Sequence, residues 1–528
     1  MRKNILKATL GLSIVALTLT SCEKMLDLQP QNDVTSEVVY STPEGYQQSL
    51  AKVYGSFALT GNSGGGGSAD IAGLDEGSNA DFLRTFWKAQ ELSTDEAVIA
   101  WGDAGVQDFH NMNWTSDNPF LKGLYYRSLY QITLVNEFLR QSADDKLASR
   151  GISGPQAEEI RHNRAEVRFL RAFQYWVLLD LYGNPPFITE DDLIGGPAPK
   201  QISRADLFTY IESELKAIET ELPATKTADY YGRVNSYAAD ALLARLYLNA
   251  KTYTGTERNN DAVTYSKKVI DGGYSLISKY SNLLANDNNI NNTESIFTIN
   301  YDGAKTQLYG GTTFLTHASI GGSMNASDYG VDYAWAGLRT TKALVDLFPN
   351  EDGSTDKRAQ FFTNGQSKEI NSLSTFTDGY AVTKFKNKNS AGVSGVNATF
   401  VDSDFPLFRL SEMYLIYAEA TLRGGAGNAA TALTYFNNIR TRAYGNASGN
   451  VASLNLDLIL DERARELYWE GHRRTDLIRY GKFVSGSYLW PWKGGVKAGK
   501  SVEDFRKLFP LPASDVAANP NLTQNSGY

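Results

Sequence analysis

Two stretches decide the fold: ALLARLYLNAK (241–251) with DAVTYSKKVIDGG (261–273), and EMYLIYAEATLRGGAG (412–427) with NAATALTYFNNIRTRA (428–443). Each begins with a segment of small and apolar residues. A Gly-rich or polar turn follows, then a second segment with apolar residues three and four apart. That spacing lines one stripe of a helix with apolar side chains. A single helix pair cannot bury its own stripe, so such pairs stack on one another. The two pairs lie far apart in the chain, and the stack must therefore be interrupted by a long insertion.

Helical signals continue outward from these pairs. In IRHNRAEVRFLRAFQYWVLLDLY (160–182), Val167, Leu170, Phe173, Trp176, Val177 and Leu181 recur as one buried face requires, and Gly183-Asn184-Pro185-Pro186 stops the helix. The spacing predicts further helices over 203–221, with Ser203 as cap, and over 236–250, 260–270, 411–422, 428–443, 456–470 and 472–483. The paired segments resemble tetratricopeptide-type hairpins. The insertion, about 280–404, is rich in Gly, Ser, Asn, Thr and Tyr and lacks long amphipathic periods, as does the earlier stretch 60–114. Loops of that length are uncommon unless they carry function.

The chain has 528 residues, 42% hydrophobic and 21% charged, enough for a full core. Aromatics reach 12%, and the net charge is −8 with no long basic run, which argues against nucleic acid as a partner. The single cysteine, Cys22, ends a leader in which Arg2, Lys3 and Lys7 precede the apolar run Ala8 to Leu19. That run is shorter than the ~20 residues of a membrane span and has the layout of a cleaved signal. A sole cysteine at the cleavage point resembles a bacterial lipoprotein signal, in which the sulfur carries a lipid. We therefore expect a signal over 1–21, a lipid-anchored tether over 22–40, and one domain over 41–528.

Several segments carry a wider resemblance: RAEVRFLRAFQYWVLLDLYGNPPF, ALLARLYLNAKTYTG, YGGTTFL near 309, DFPLFRLSEMYLIYAEA, DERARELYWEGHRRTDLIRYGKF, YLWPWKGG near 490 and the tail FPLPASDVAANPNLTQNSGY. Together and in order they resemble the SusD/RagB family of Bacteroidetes. The resemblance implies a mainly α fold with about four tetratricopeptide-like helix pairs and an irregular, loop-rich region carrying a glycan site. It also implies a non-catalytic lipoprotein, exposed on the outer membrane. Such a protein captures starch or malto-oligosaccharide and passes it to a SusC-like TonB-dependent transporter.

A sugar offers a face of C–H bonds and a rim of hydroxyls, so its site needs exposed aromatic planes and polar side chains. The family's starch site uses an arc of two Trp and one Tyr. Matching segments place the arc here at Trp101, Tyr309 and Tyr333. Tyr333 stands where the family has Trp, and Trp335 lies two residues on. Polar contacts carry over at Arg84 and Asp75, which can alternatively pair with each other, while Asp103-Ala104 replace the family's asparagine after the Trp. An aromatic in a Gly-rich loop is otherwise a pin that holds the loop down.

Glu462, Glu466 and Glu470 invite a catalytic reading, but alternating charges three and four apart suggest a laced, solvated helix face instead. The Asp/Asn-rich stretch 287–294 has oxygen ligands suited to calcium, without the spacing of a known calcium loop, so turn chemistry is the preferred reading. No cofactor is expected. Two alternatives stand beside starch capture: the same role for another glycan or nutrient, and a surface glycoside hydrolase, which would need two carboxylates flanking the bond.

Overall fold

The computed structural model describes residues 35–61, 65, 69–75, 77–192, 194–290 and 292–528. Cys22, the leader and the tether up to residue 34 lie outside them. The longer helices are α1 (Pro43–Gly55), α2 (Phe82–Glu91), α3 (Pro119–Gln141), α4 (Gly154–Leu181), α5 (Arg204–Ile218), α6 (Ser236–Leu248), α7 (Asn259–Asp271), α8 (Gly311–Ala318), α9 (Leu410–Leu422), α10 (Ala429–Tyr444), α11 (Leu456–Leu467) and α12 (Arg473–Arg479). The fold is mainly α, as the periodicity predicts.

Most of these helices begin where a side-chain oxygen satisfies an otherwise unpaired N–H. Ser203 Oγ accepts from Asp206 N at the start of α5, Asn235 Oδ1 from Ala238 N at α6, Asn428 Oδ1 from Thr431 N at α10, and Asn455 Oδ1 from Leu458 N at α11. Gly445, at φ 74°, ends α10 in the left-handed conformation that glycine adopts without strain.

The two quoted pairs stack directly: α6 packs on α7, α7 on α9 and α9 on α10. The insertion between them therefore leaves the helical stack as a side excursion and returns to it. On the other side, α3 packs on α4 and α4 on α5. The sequence reading missed α1, α2 and α3, and α2 lies inside the stretch read as loop. Phe82, Leu83, Phe86 and Trp87 give α2 a short helical stripe within a stretch whose composition reads as loop, and every residue of it is buried, including Arg84, Lys88 and Glu91.

Helix α4 departs from the one-sided pattern too. From Ala165 to Leu181 almost every side chain is buried. Phe169 and Phe173 meet Phe297 and Phe408 edge-on, while α1, α3 and α5 pack on its other sides. A helix surrounded in this way has no solvent face.

The insertion is not structureless. Strand β2 (Ser295–Ile299) pairs antiparallel with β6 (Phe405–Arg409) at its far end, with Ser295 opposite Arg409 and Ile299 opposite Phe405. Shorter ribbons join β1 (Val98–Ile99) to β3 (Leu338–Arg339), and β4 (Phe361–Phe362) to β5 (Ala381–Val382).

The segment DERARELYWEGHRR is the clearest correction. Its charges do not lace a solvated face. Glu462 and Glu466 are 0% exposed and Glu470 is 3% exposed. Arg358 donates to Glu462 at 2.7 Å and to Glu466 at 3.1 Å, and Arg409 donates to Glu294, Glu466 and Glu470 at 2.6–2.8 Å. Arg440 and Arg465 donate to Glu462, Arg442 to Glu466, and Lys384 to Glu470. The partners come from β6, α10 and two insertion segments, none of them from the local i, i+4 pattern except Arg465. α11 ends at Leu467, and the turn after it places Trp469 at φ 65° with its ring fully buried. Facing guanidinium groups hold Glu462 down at about 2, and Glu466 and Glu470 below the usual carboxylate range. A general acid needs the opposite environment, so these three carboxylates hold the fold together.

Candidate functional site

A short ribbon brings the first two rings together. β1 and β3 pair through Val98 with Arg339 and Ile99 with Leu338, and the Ala100 N–H extends the ladder to the Gly337 carbonyl at 2.8 Å. Trp101 leaves one strand just where Trp335 enters the other. The Trp101 indole N–H donates to the Trp335 carbonyl at 3.0 Å, and the rings stand 6.3 Å apart. A Cβ on Gly337 would lie 2.5 Å from the Trp101 indole, so this close approach requires glycine.

Trp335 is also 6.2 Å from the Tyr309 ring and 6.3 Å from the Tyr333 ring. The three aromatics expected from the sequence therefore belong to one cluster, and the contact between them runs through Trp335. Trp335, two residues beyond Tyr333, thus stands at the centre of the cluster. Tyr333 is 45% exposed, and the other three rings are half-buried. Phe400 supports Tyr309 from the far side at 5.5 Å.

Helix α8 forms the floor. Phe314 lies 5.9 Å from Trp101, and the His317 imidazole stacks on Trp335 at 4.8 Å with 25° between planes. The Tyr309-Gly310-Gly311 approach to α8 needs both glycines: a Cβ would meet Asp81 at 2.3 Å from Gly310 and the Tyr301 ring at 2.4 Å from Gly311. Asp81 Oδ1 accepts from Arg84 N at 2.6 Å and from Gly311 N at 3.0 Å. One buried carboxylate thus caps α2 and pins it to α8. No sequence signal for Asp81 was read, since its second partner is 230 residues away.

Arg84 and Asp75 do not pair directly. Asp75 is exposed and its Oδ1 accepts from Gly77 N at 2.8 Å; Arg84 Nη1 donates to the Gly77 carbonyl and, at 3.0 Å, to the Tyr309 carbonyl. The Arg84 guanidinium lies 4.6 Å from Phe314 and 5.7 Å from Trp101, beneath the cluster. Burial brings it down to about 10, with Asp81, Asp103 and Asp75 opposing that shift. In this arrangement Arg84 braces Tyr309 and lies under Trp101, while the exposed Asp75 and Asp103 carboxylates lie near its guanidinium.

The cluster reaches solvent chiefly through Tyr333. A separate cleft of about 340 Å³, lined by Tyr230, Tyr231, Asn235, Tyr274 and Phe297, shares no residue with it. In the 287–294 stretch, Asp287 accepts from Ser390 N and Oγ, and Asn292 Oδ1 accepts from Glu294 and Ser295 N–H groups. The Asn292 bonds are turn contacts, while Asp287 ties this stretch to Ser390, 103 residues away. Among the described residues no group of three or more His, Cys, Asp and Glu has a metal-holding arrangement, and no helix is long and apolar enough to cross a membrane.

Two family models match the chain. One, described as "SusD family", matches residues 355–528; the other, "Starch-binding associating with outer membrane", matches residues 71–248. The chain is 34% identical to "Starch-binding protein SusD" of Bacteroides thetaiotaomicron, over 100% of this chain and 99% of that one. It is 23% identical to "SusD-like protein P25" of Formosa agariphila over 96% of this chain and 97% of that one. Among solved structures, a SusD superfamily protein from Parabacteroides distasonis superposes with a TM-score of 0.71 at 22% identity, covering 94% of this chain and 100% of that one. A "Laminarin binding SusD-like protein" gives 0.70 at 21% identity, covering 92% and 99%.

Proposed function

The chain belongs to the SusD family, and from that premise we propose that it is a non-catalytic glycan-binding lipoprotein of the outer-membrane surface. It captures starch or malto-oligosaccharide on the Trp101–Trp335–Tyr309–Tyr333 cluster and delivers it to a SusC-like TonB-dependent transporter. Lipid on Cys22 holds it to the membrane. The observation that carries this reading is the four-ring cluster itself, with Trp335 as its hub. Four aromatic faces at three distances near 6 Å offer successive platforms for the C–H faces of successive sugars, and the Asp75 and Asp103 carboxylates offer acceptors for hydroxyls. Single-site binding in the millimolar to micromolar range, about 4 to 8 kcal/mol, permits release to the transporter, and several sites along one polymer raise the apparent affinity.

A second reading keeps the role and changes the glycan. Structural neighbours include proteins named for laminarin and laminarihexaose, and Asp103-Ala104 depart from the family's starch pattern. Calorimetric titration of residues 23–528 with maltoheptaose and with a β-linked glucan of equal length decides between them. We expect heat with maltoheptaose alone, lost in Trp335→Ala and Trp101→Ala. Heat with the β-glucan alone would move the assignment to the second reading. Undiminished binding by both variants would remove the cluster as the site.

A further inference from the structure

His317 sits in the last turn of α8 and is 0% exposed. Its imidazole stacks on Trp335 at 4.8 Å and lies 5.2 Å from the Tyr333 ring. Nδ1 is 2.8 Å from the Tyr333 carbonyl oxygen, and Nε2 is 2.9 Å from the Thr399 carbonyl oxygen. The His317 carbonyl in turn accepts from Trp335 N at 3.0 Å. One residue therefore grips both aromatic residues of the 331–337 loop. It also grips the 397–401 loop, where Phe400 backs Tyr309.

Both partners of the ring are carbonyl oxygens, which only accept. A neutral imidazole has one N–H and satisfies one of them; the imidazolium satisfies both. The protonation state thus decides whether one loop or both are held. The charged groups on the surrounding elements are Asp332 in the 331–337 loop, Asp402 beyond Thr399, and Arg84 and Lys88 on α2, which face Phe314. Asp402 accepts from the N–H groups of Gly303 and Val396. Asp332 accepts from the Thr399 hydroxyl, and its charge favours the imidazolium, as do the two carbonyls; burial outweighs them and favours the neutral ring.

We propose that His317 is a positioning residue of the glycan site, and that its two-carbonyl clamp makes glycan binding proton-linked. This rests on the reading of the ring cluster as the site. A glycan stacked on Tyr333 and Trp335 needs both loops in place, so it favours the ring with two donors. By reciprocity, protons then favour the glycan. Affinity should rise as pH falls from 8 to 5.

The test is calorimetric titration of the full mature protein with maltoheptaose at pH 5, 6, 7 and 8, together with His317→Gln, His317→Phe and Trp335→Ala. Circular dichroism and thermal melts check each variant's fold. We expect the native protein to tighten by about fivefold or more toward pH 5. His317→Gln keeps one donor and cannot titrate, so it should bind more weakly with a flat profile. His317→Phe keeps the stack and loses both bonds, and should be weakest. A second readout is the His317 ring pKa by NMR, tractable with 4 histidines in the chain; it should rise on adding maltoheptaose. If Trp335→Ala binds like the native protein, the reading of the site falls and the clamp falls with it. If Trp335→Ala is inactive while His317→Gln keeps the native pH profile, or the ring pKa is unmoved by ligand, the clamp alone is overturned.

Discussion

Glu466→Gln is the sharpest test of the buried ion network. The Glu466 carboxylate accepts from Arg409 at 2.6 Å, Arg442 at 2.5 Å and Arg358 at 3.1 Å, with its side chain 0% exposed. The amide is nearly isosteric, so packing is kept, but one negative charge leaves a site where three cations converge. Each cation keeps another acid: Arg358 still pairs with Asp356 and Glu462, Arg409 with Glu294 and Glu470, and Arg442 with Glu294. Removing one member of a buried pair costs about 3–5 kcal/mol when the partner's charge is left uncompensated; the acids that each arginine keeps put Glu466→Gln toward the low end of that range. Against a whole-fold stability of about 5–15 kcal/mol, that is a large share. Urea denaturation followed by circular dichroism should show the midpoint falling sharply. Glu158→Gln, which breaks an exposed pair with Arg161, should leave it in place. The variant should still bind glycan at temperatures where it is folded, because none of these groups touches the ring cluster. A midpoint shift worth less than about 1 kcal/mol would refute the argument that the network is a structural device. Loss of a hydrolytic activity in a fully stable variant would revive the catalytic alternative.

Other outcomes follow from single positions. Gly311 holds φ +57°, and a Cβ there meets the Tyr301 ring at 2.4 Å; Gly311→Ala should destabilise by about 1–3 kcal/mol and weaken glycan retention through the neighbouring Tyr309, read by thermal melt and affinity electrophoresis. Arg84→Met leaves the Gly77 and Tyr309 carbonyls short of a donor, at about 1–3 kcal/mol for each one buried, and Arg84→Lys should restore little because its more strongly hydrated ammonium is costlier to bury there. Burial raises the Asp240 carboxyl to about 7. A raised acid stabilises the fold fully below its unfolded value near 4 and loses that contribution as pH rises through 7. The melting temperature of Asp240→Asn should therefore gain on that of the native protein between pH 5 and 8; a constant difference would contradict the shift.

Much of the scaffold was legible because helical periodicity is a local property. The pairs at 241–273 and 412–443, and the cap Ser203, lie within a few residues of what they organise. Helix α2 is 10 residues long and lies in a stretch whose composition reads as loop, and α4 is longer and more enclosed than its single stripe suggested. At the site, Trp101, Tyr309, Tyr333, Arg84 and Asp75 were reached by resemblance, while the bonds from Arg84 to the Gly77 and Tyr309 carbonyls were not legible in the sequence.

The amino-acid sequence by itself determined the helical class, the stacking of two distant pairs and the aromatic residues available for binding. Only the tertiary structure decided that Trp335 is the hub, that Asp81 joins α2 to α8, and that the charges of 461–474 are buried. Spacing along a helix reports which residues share a face, but it does not report what that face meets. Arg358, Arg409 and Arg440 reach Glu462 and Glu466 from segments up to 108 residues away, and Trp101 reaches Trp335 across 234. Contacts closed over such distances are set by how the elements pack.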